Sequence, residues 1–143
     1  ELDYKEGDWM GMTQTVFFLK VFKEEEVLDA LKKGRAYAVR GIDKPILEDF
    51  TLRSSKGEAT MGEELPSREG VEVSIKLRFP DVSKKDAKVY LIRNGEILET
   101  FSTNTDILIK YKDNYFRSGE RIYYRLVVDD RLVTNPVFVR FDG

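Results

Sequence analysis

Histidine and cysteine are both missing from the 143 residues. Without imidazole the chain lacks the commonest general base, the commonest transition-metal ligand and the usual switch near physiological pH. Without thiol it has no disulfide framework, no thiolate nucleophile and no cysteine-based zinc site. A nucleophilic serine would have no imidazole beside it, and neither a Ser-x-x-Lys spacing nor a glycine-rich phosphate loop is present. Long apolar runs are also lacking. The longest, Val16-Phe17-Phe18-Leu19, falls far short of the roughly 20 residues needed to cross a bilayer, so no membrane span is expected. Neither sign of charge dominates. The 24 basic and 26 acidic side chains leave a formal net charge of -2, without the basic excess that nucleic-acid binding demands. The compartment stays open, because exported and cytosolic proteins both dispense with cysteine.

What is present suits one folded domain. Hydrophobic residues make up 41% and aromatics 12%, enough for a core at this length. Thr13 to Phe22, rich in β-branched and aromatic residues, predicts a strand after an irregular lead-in around Trp9. One short amphipathic helix is expected over 24–33. Three glutamates open it, Lys32-Lys33 close it, and Gly34 stands where a left-handed cap is wanted. Val27, Leu28 and Leu31 would share its apolar face.

Beyond Gly34 nearly everything has strand character. Ala36 to Val39 and Ile46 to Leu52 are candidates. Ser54 to Gly70 reads as turns around a weak strand near Ala59 to Met61. Val71, Val73, Ile75, Leu77 and Phe79 alternate with polar residues, so that strand has one buried and one wet face. Asn94-Gly95 tolerates the two positive φ values of a type I′ turn and predicts a hairpin between 88–93 and 96–101. Ile107, Ile109 and Tyr111 alternate next, then Ile122, Tyr124, Leu126 and Val128. Asp129-Asp130 turn the chain into a last strand in which Pro136 marks an edge or a bulge. The expectation is a mainly β, immunoglobulin-like antiparallel β-sandwich with one short N-terminal helix. Residues 1–34 form the lead-in strand and helix, residues 35–143 the sandwich, the whole one compact unit.

Ala30-Leu31-Lys32-Lys33-Gly34-Arg35-Ala36-Tyr37-Ala38-Val39 resembles a segment that follows the catalytic domain in many PHP-type metal-dependent phosphoesterases. Downstream, Ile46-Leu47-Glu48-Asp49-Phe50, Met61-Gly62, Leu91-Ile92-Arg93-Asn94-Gly95, Tyr123-Tyr124-Arg125-Leu126 and Thr134-Asn135-Pro136-Val137-Phe138-Val139 follow in the same order and spacing. The resemblance implies the C-terminal accessory β-sandwich of such a protein. It also implies that the family's metal-binding barrel lies upstream of Glu1, since no histidine ligand of that barrel maps onto this chain. Its own upstream catalytic domain would then be its partner. The chain by itself is expected not to be an enzyme and to hold no metal and no cofactor.

Candidate site residues are few. Arg35 and Tyr37 lead, with Arg35 holding a carboxylate across the junction to the upstream barrel and Tyr37 packed beneath it. The plainer reading is a surface arginine and a core tyrosine. Tyr111, Tyr115, Phe116, Tyr123 and Tyr124 raise a sugar-stacking platform, and with it the alternative of an independent carbohydrate- or surface-polymer-binding module. Tyr115 and Phe116, in a loop, carry most of that case, while strand tyrosines are commonly core. The stretch from Gly119 to Tyr123 is faintly similar to a tyrosine corner, a purely structural device. Asp129-Asp130, Asp113-Asn114 and Glu63-Glu64 offer oxygen ligands without calcium-loop spacing, and are expected to be solvated turn residues. Glu48-Asp49 is the most notable acidic pair. Asp49 is expected to lie with Leu47 and Thr51 on one strand face, at an edge or turn.

Overall fold

The computed structural model describes residues 14–17, 34–39, 45–80, 86–129 and 131–142. The expected helix over 24–33 and the irregular lead-in lie outside the described residues. Twelve strands are described: β1 (Gln14–Phe17), β2 (Ala36–Val39), β3 (Ile46–Ser54), β4 (Gly57–Ala59), β5 (Glu64–Ser67), β6 (Val71–Arg78), β7 (Ala87–Arg93), β8 (Glu96–Thr103), β9 (Ile107–Asp113), β10 (Arg121–Val128), β11 (Leu132–Thr134) and β12 (Val137–Phe141). They form two sheets.

The smaller sheet, sheet B, runs β4-β3-β6-β9, all antiparallel. The larger, sheet A, is organised around β10. One flank of β10 pairs with β7, which pairs in turn with β8. The other flank pairs with β11 at Val127 and Val128 and with β12 at 121–124, so β11 and β12 follow one another along the same neighbour. Pro136 sits in the two-residue break between them. With no N–H it cannot continue the ladder, and its carbonyl instead accepts from Gly62 N at 2.8 Å. The break lets the outer neighbour change as well: β2 pairs with β11, and β5 pairs with β12. β1 lies beyond β2.

Alternation decides which side chains meet between the sheets. Val71, Val73, Ile75 and Leu77 of β6 point inward against Ile122, Tyr124, Leu126 and Val128 of β10, all buried. Phe50, Leu52, Leu65, Val89, Leu91, Val137, Val139 and Phe141 complete the contiguous core. Burying each such side chain is worth roughly 1.5–3 kcal/mol, which is why the two-residue period fixes the register.

Three details depart from the expectation. First, Ser54 to Gly70 holds two strands, not one weak one, and β5 among them contains Pro66. Proline is tolerated because β5 pairs on one side only among the described residues. Second, that pairing with β12 is parallel, so the sandwich is not wholly antiparallel. Third, a bulge between Leu47 and Asp49 shifts the β3 register by one residue. Leu47 is buried inward, but Phe50 and Leu52 are the next inward residues, so Asp49 and Thr51 face out. An extra residue on one strand reverses the facing of everything after it.

Candidate functional site

The two sequence candidates fall at different places. β2 carries the first. Arg35 stands just before β2, and Gly34 has a φ of 71°, the left-handed geometry expected of it. Asn135 Nδ2 donates to the Gly34 carbonyl at 3.1 Å, and Asn135 N donates to the Ala36 carbonyl at 3.2 Å. This segment is thereby tied to the break between β11 and β12. Tyr37 points inward and is buried, its hydroxyl accepting from Leu47 N at 3.3 Å. Burial pushes its pKa up, partly offset by that backbone donor. Tyr37 is thus a core tyrosine bridging sheets A and B, the plainer of the two roles.

On the outer side of the same strands lies a cavity of about 270 Å³ lined by Ala36, Tyr37, Ala38, Arg125, Val133, Thr134 and Asn135. Arg125 Nε is buried there with no hydrogen-bond partner among the described residues.

Tyr115 and Phe116 follow β9. The Tyr115 hydroxyl donates to Glu120, and its ring has the Arg93 guanidinium 4.3 Å from its centroid and that of Arg117 at 5.9 Å. The hydrogen bond to Glu120, then burial, raises the Tyr115 pKa. Both rings rest on Phe141, Phe116 edge-on at 5.1 Å and Tyr115 tilted at 6.0 Å. They therefore close one end of the core. The five aromatics do not share a face. Tyr124 is buried between the sheets, Tyr111 packs against the core from β9, and Tyr123 alternates outward on β10.

Beneath Tyr115 is a group that sequence reasoning misread. Asp113 is only 6% exposed, not a solvated turn residue. Arg93 Nη1 donates to both its oxygens, at 3.0 and 2.8 Å. The Tyr124 hydroxyl donates to Oδ2 at 2.5 Å and Tyr115 N to Oδ1 at 3.1 Å. Burial, then the hydrogen bond to Asp113, holds the Tyr124 pKa well above the usual tyrosine value. Asp113 belongs to sheet B, and Arg93 and Tyr124 to sheet A, so the network ties the sheets together. The period continues from Ile109 and Tyr111 to Asp113 as the last inward position of β9, but it does not show the sheet A partners that make the carboxylate's burial tolerable.

The other acidic pairs are engaged locally. Glu48 meets Lys76 and Arg78, and Glu64 meets Arg121 and Arg140. Asp49 accepts from Thr51 Oγ1 at 2.5 Å and Ser74 Oγ at 2.8 Å, all three on the outer face of sheet B. Glu63 caps a turn by accepting from Thr60 N. Asp129 takes Lys88 N and Arg131, while Asp130 lies outside the described residues. No group of three or more acidic side chains converges among the described residues.

The sequence matches no protein-family model and no curated protein. Any assignment for this chain therefore rests on its own residues and geometry.

Proposed function

We propose that this chain is a non-catalytic accessory and interaction domain, of immunoglobulin-like build, that packs on and positions the metal-binding barrel of a PHP-type metallophosphoesterase-like protein. The observation that carries the reading is the seating of the Gly34-Arg35-Ala36-Tyr37 segment. Tyr37 is locked in the core and Gly34 is bonded to Asn135. The Gly34-Arg35-Ala36-Tyr37 segment is therefore held firmly on sheet A, between β1 and β11, where a neighbouring domain could rest against it.

The immunoglobulin-like build is supported by strand order. β3, β6 and β9 occupy the places of the first, second and fifth strands of one sheet; β7, β10 and β12 match the three strands facing them. The corner expected between Gly119 and Tyr123 does not form: Tyr123 faces outward, and it is the next residue, Tyr124, whose hydroxyl reaches back to the preceding strand, to the Asp113 carboxylate and not to backbone. The non-catalytic role is supported by chemistry: the chain has no imidazole or thiol, and its described acidic pairs are held by nearby cations, hydroxyls and backbone N–H groups. In the parent protein, ions held by the barrel would activate water and stabilise the leaving oxygen.

The test is to express the chain alone and joined to its upstream coding sequence, and to assay both with manganese and a phosphate ester. Hydrolysis is expected only from the joined protein. Turnover by the chain alone, or an upstream sequence without His-x-His ligand motifs, overturns the proposal. The second reading, an independent glycan-binding module, rests on Phe116, 38% exposed beside Tyr115. Saturable quenching of Trp9 and tyrosine fluorescence by soluble sugars would favour it instead.

A further inference from the structure

The outer face of sheet A is not the wet face that an antiparallel sheet ordinarily turns to solvent. Strand registers place Ala38, Val133, Val127 and Tyr90 in one row across β2, β11, β10 and β7. The neighbouring row holds Arg125, Ile92 and Ile97 across β10, β7 and β8. Val133 is 43% exposed and Ile97 60%. Two adjacent rows of apolar side chains on an exposed sheet face mark an interaction surface.

Charge specifies what docks there. At the β2 end of the rows, the cavity between Ala36, Ala38, Val133 and Asn135 has the Arg125 guanidinium in its wall. The other arginines of this face are engaged: Arg121 and Arg140 share Glu64, and Arg121 also stacks on Phe138 at 4.0 Å. Arg125 lies 5.6 Å from the Tyr123 ring, and its buried Nε has no acceptor among the described residues. A buried donor left without an acceptor is unfavourable, and the acceptor that best fits a guanidinium edge is a carboxylate, through two parallel N–H···O bonds. The cavity has room for one acidic side chain. We infer that it receives an aspartate or glutamate from an extended, otherwise apolar segment of a partner protein, whose flanking side chains run along the Val133 and Ile92 rows. The inference rests on reading the chain as an interaction domain, but not on the partner being an upstream barrel.

The test uses the whole chain and two capped tripeptides, acetyl-Leu-Asp-Val-amide and its Asn counterpart, followed by nuclear magnetic resonance including the arginine Nε–H signals. The Asp peptide is expected to shift the Arg125 Nε–H and the Ala38 and Val133 amides saturably. It should bind about tenfold more tightly than the Asn peptide, as a charge-assisted pair implies. Arg125→Gln should remove that preference while leaving the β7–β8 hairpin signals in place; should it fail to fold, Arg125→Lys, which keeps the charge but loses the fork, should weaken it. Equal binding of both peptides overturns the inference. So does a response to acetate equal to that of the Asp peptide, which would reduce the site to free-anion binding. An Arg125 signal that moves on Glu24→Gln, Glu25→Gln or Glu26→Gln would make the acceptor one of the chain's own and also overturn it. Because these readouts involve no hydrolysis, their failure is distinct from failure of the phosphoesterase reading.

Discussion

Asp113 has a donor for each of its oxygens from three other residues, and two of those come from the opposite sheet. Removing one partner of a buried ion pair is costlier than the pair is worth, because the remaining charge loses its compensation. Arg93→Met should therefore destabilise the domain by about 2–3 kcal/mol; the partial exposure of the Arg93 side chain, 25%, and the surviving Tyr124 bond keep this below the full buried-pair range. Urea denaturation of Arg93→Met, Asp113→Asn and the double variant checks it, the double costing much less than the sum of the singles. The tyrosines predict a second effect. Tyr124, Tyr37 and Tyr115 all have pKa values raised in the fold. Above pH of about 10 the unfolded chain loses phenolic protons that the native state keeps, so stability falls as pH rises. For the buried Tyr124 the slope is up to about 1.4 kcal/mol per pH unit, with the contribution fully present below that pH. Tyr124→Phe should flatten the alkaline limb of a denaturation-against-pH curve. Alternation alone told Tyr124 from Tyr123, since only one can face inward. It did not tell that Asp113 would be buried, because that depends on Arg93 arriving from the other sheet. Asp49 was misplaced for a local reason, a bulge that leaves no mark in the hydrophobic pattern.

The hairpin between β7 and β8 and the turn before β6 show how much an element owes to its turn. Asn94 and Gly95 have φ values of 50° and 83°, the pair of left-handed residues that the Asn-Gly signal demands. Asn94 also bonds to Tyr123 through both its backbone N and its side chain, at 3.1 and 3.0 Å, which seats the turn against β10. Gly70 is glycine for another reason. A Cβ there would meet the Asp113 carbonyl oxygen at 2.1 Å and Asn114 Cα at 2.7 Å. The end of β9 passes directly over it, and backbone cannot step aside as a side chain does. Gly70→Ala should cost about 3 kcal/mol, at the upper end for overpacking, and should loosen the Asp113 network with it. A fall in thermal midpoint, with the Tyr115 N–H losing hydrogen-exchange protection, is the expected result; an unchanged midpoint would mean that the turn moves freely. The hairpin was legible because its signal is local. β5 was not, because a four-residue strand with a central proline exists only through its parallel partner β12. The break at Pro136 was legible as a break, but not as the point where the β10 neighbour changes.

At the scale of the molecule, the expected division at residues 34 and 35 crosses a continuous sheet. β1, from the lead-in, pairs with β2 over four residues, and β2 pairs with β11, so the edge of sheet A is built from both sides of that boundary. The two-layer, mainly β architecture was readable from strand alternation and turn spacing. The joining of β2 to β11 was not, since a contact between residues near 38 and near 133 leaves no local trace. Its weight can be measured. Tyr37 and Val39 are buried on the inner side of β2, and losing their burial costs roughly 4–5 kcal/mol as an upper figure. A chain starting at Pro45 also bares the backbone edge of β11, with Val133 beside it, and unpaired edges invite strand addition from other copies. We expect such a chain to unfold at a clearly lower urea midpoint and to associate with rising concentration in size-exclusion chromatography. A chain starting at Arg35 keeps β2 and should lose far less stability, because it gives up only the outermost strand among those described. Equal midpoints for the two shortened chains would show that β2 contributes packing without stability, and that the Gly34-Arg35-Ala36-Tyr37 segment is no rigid junction.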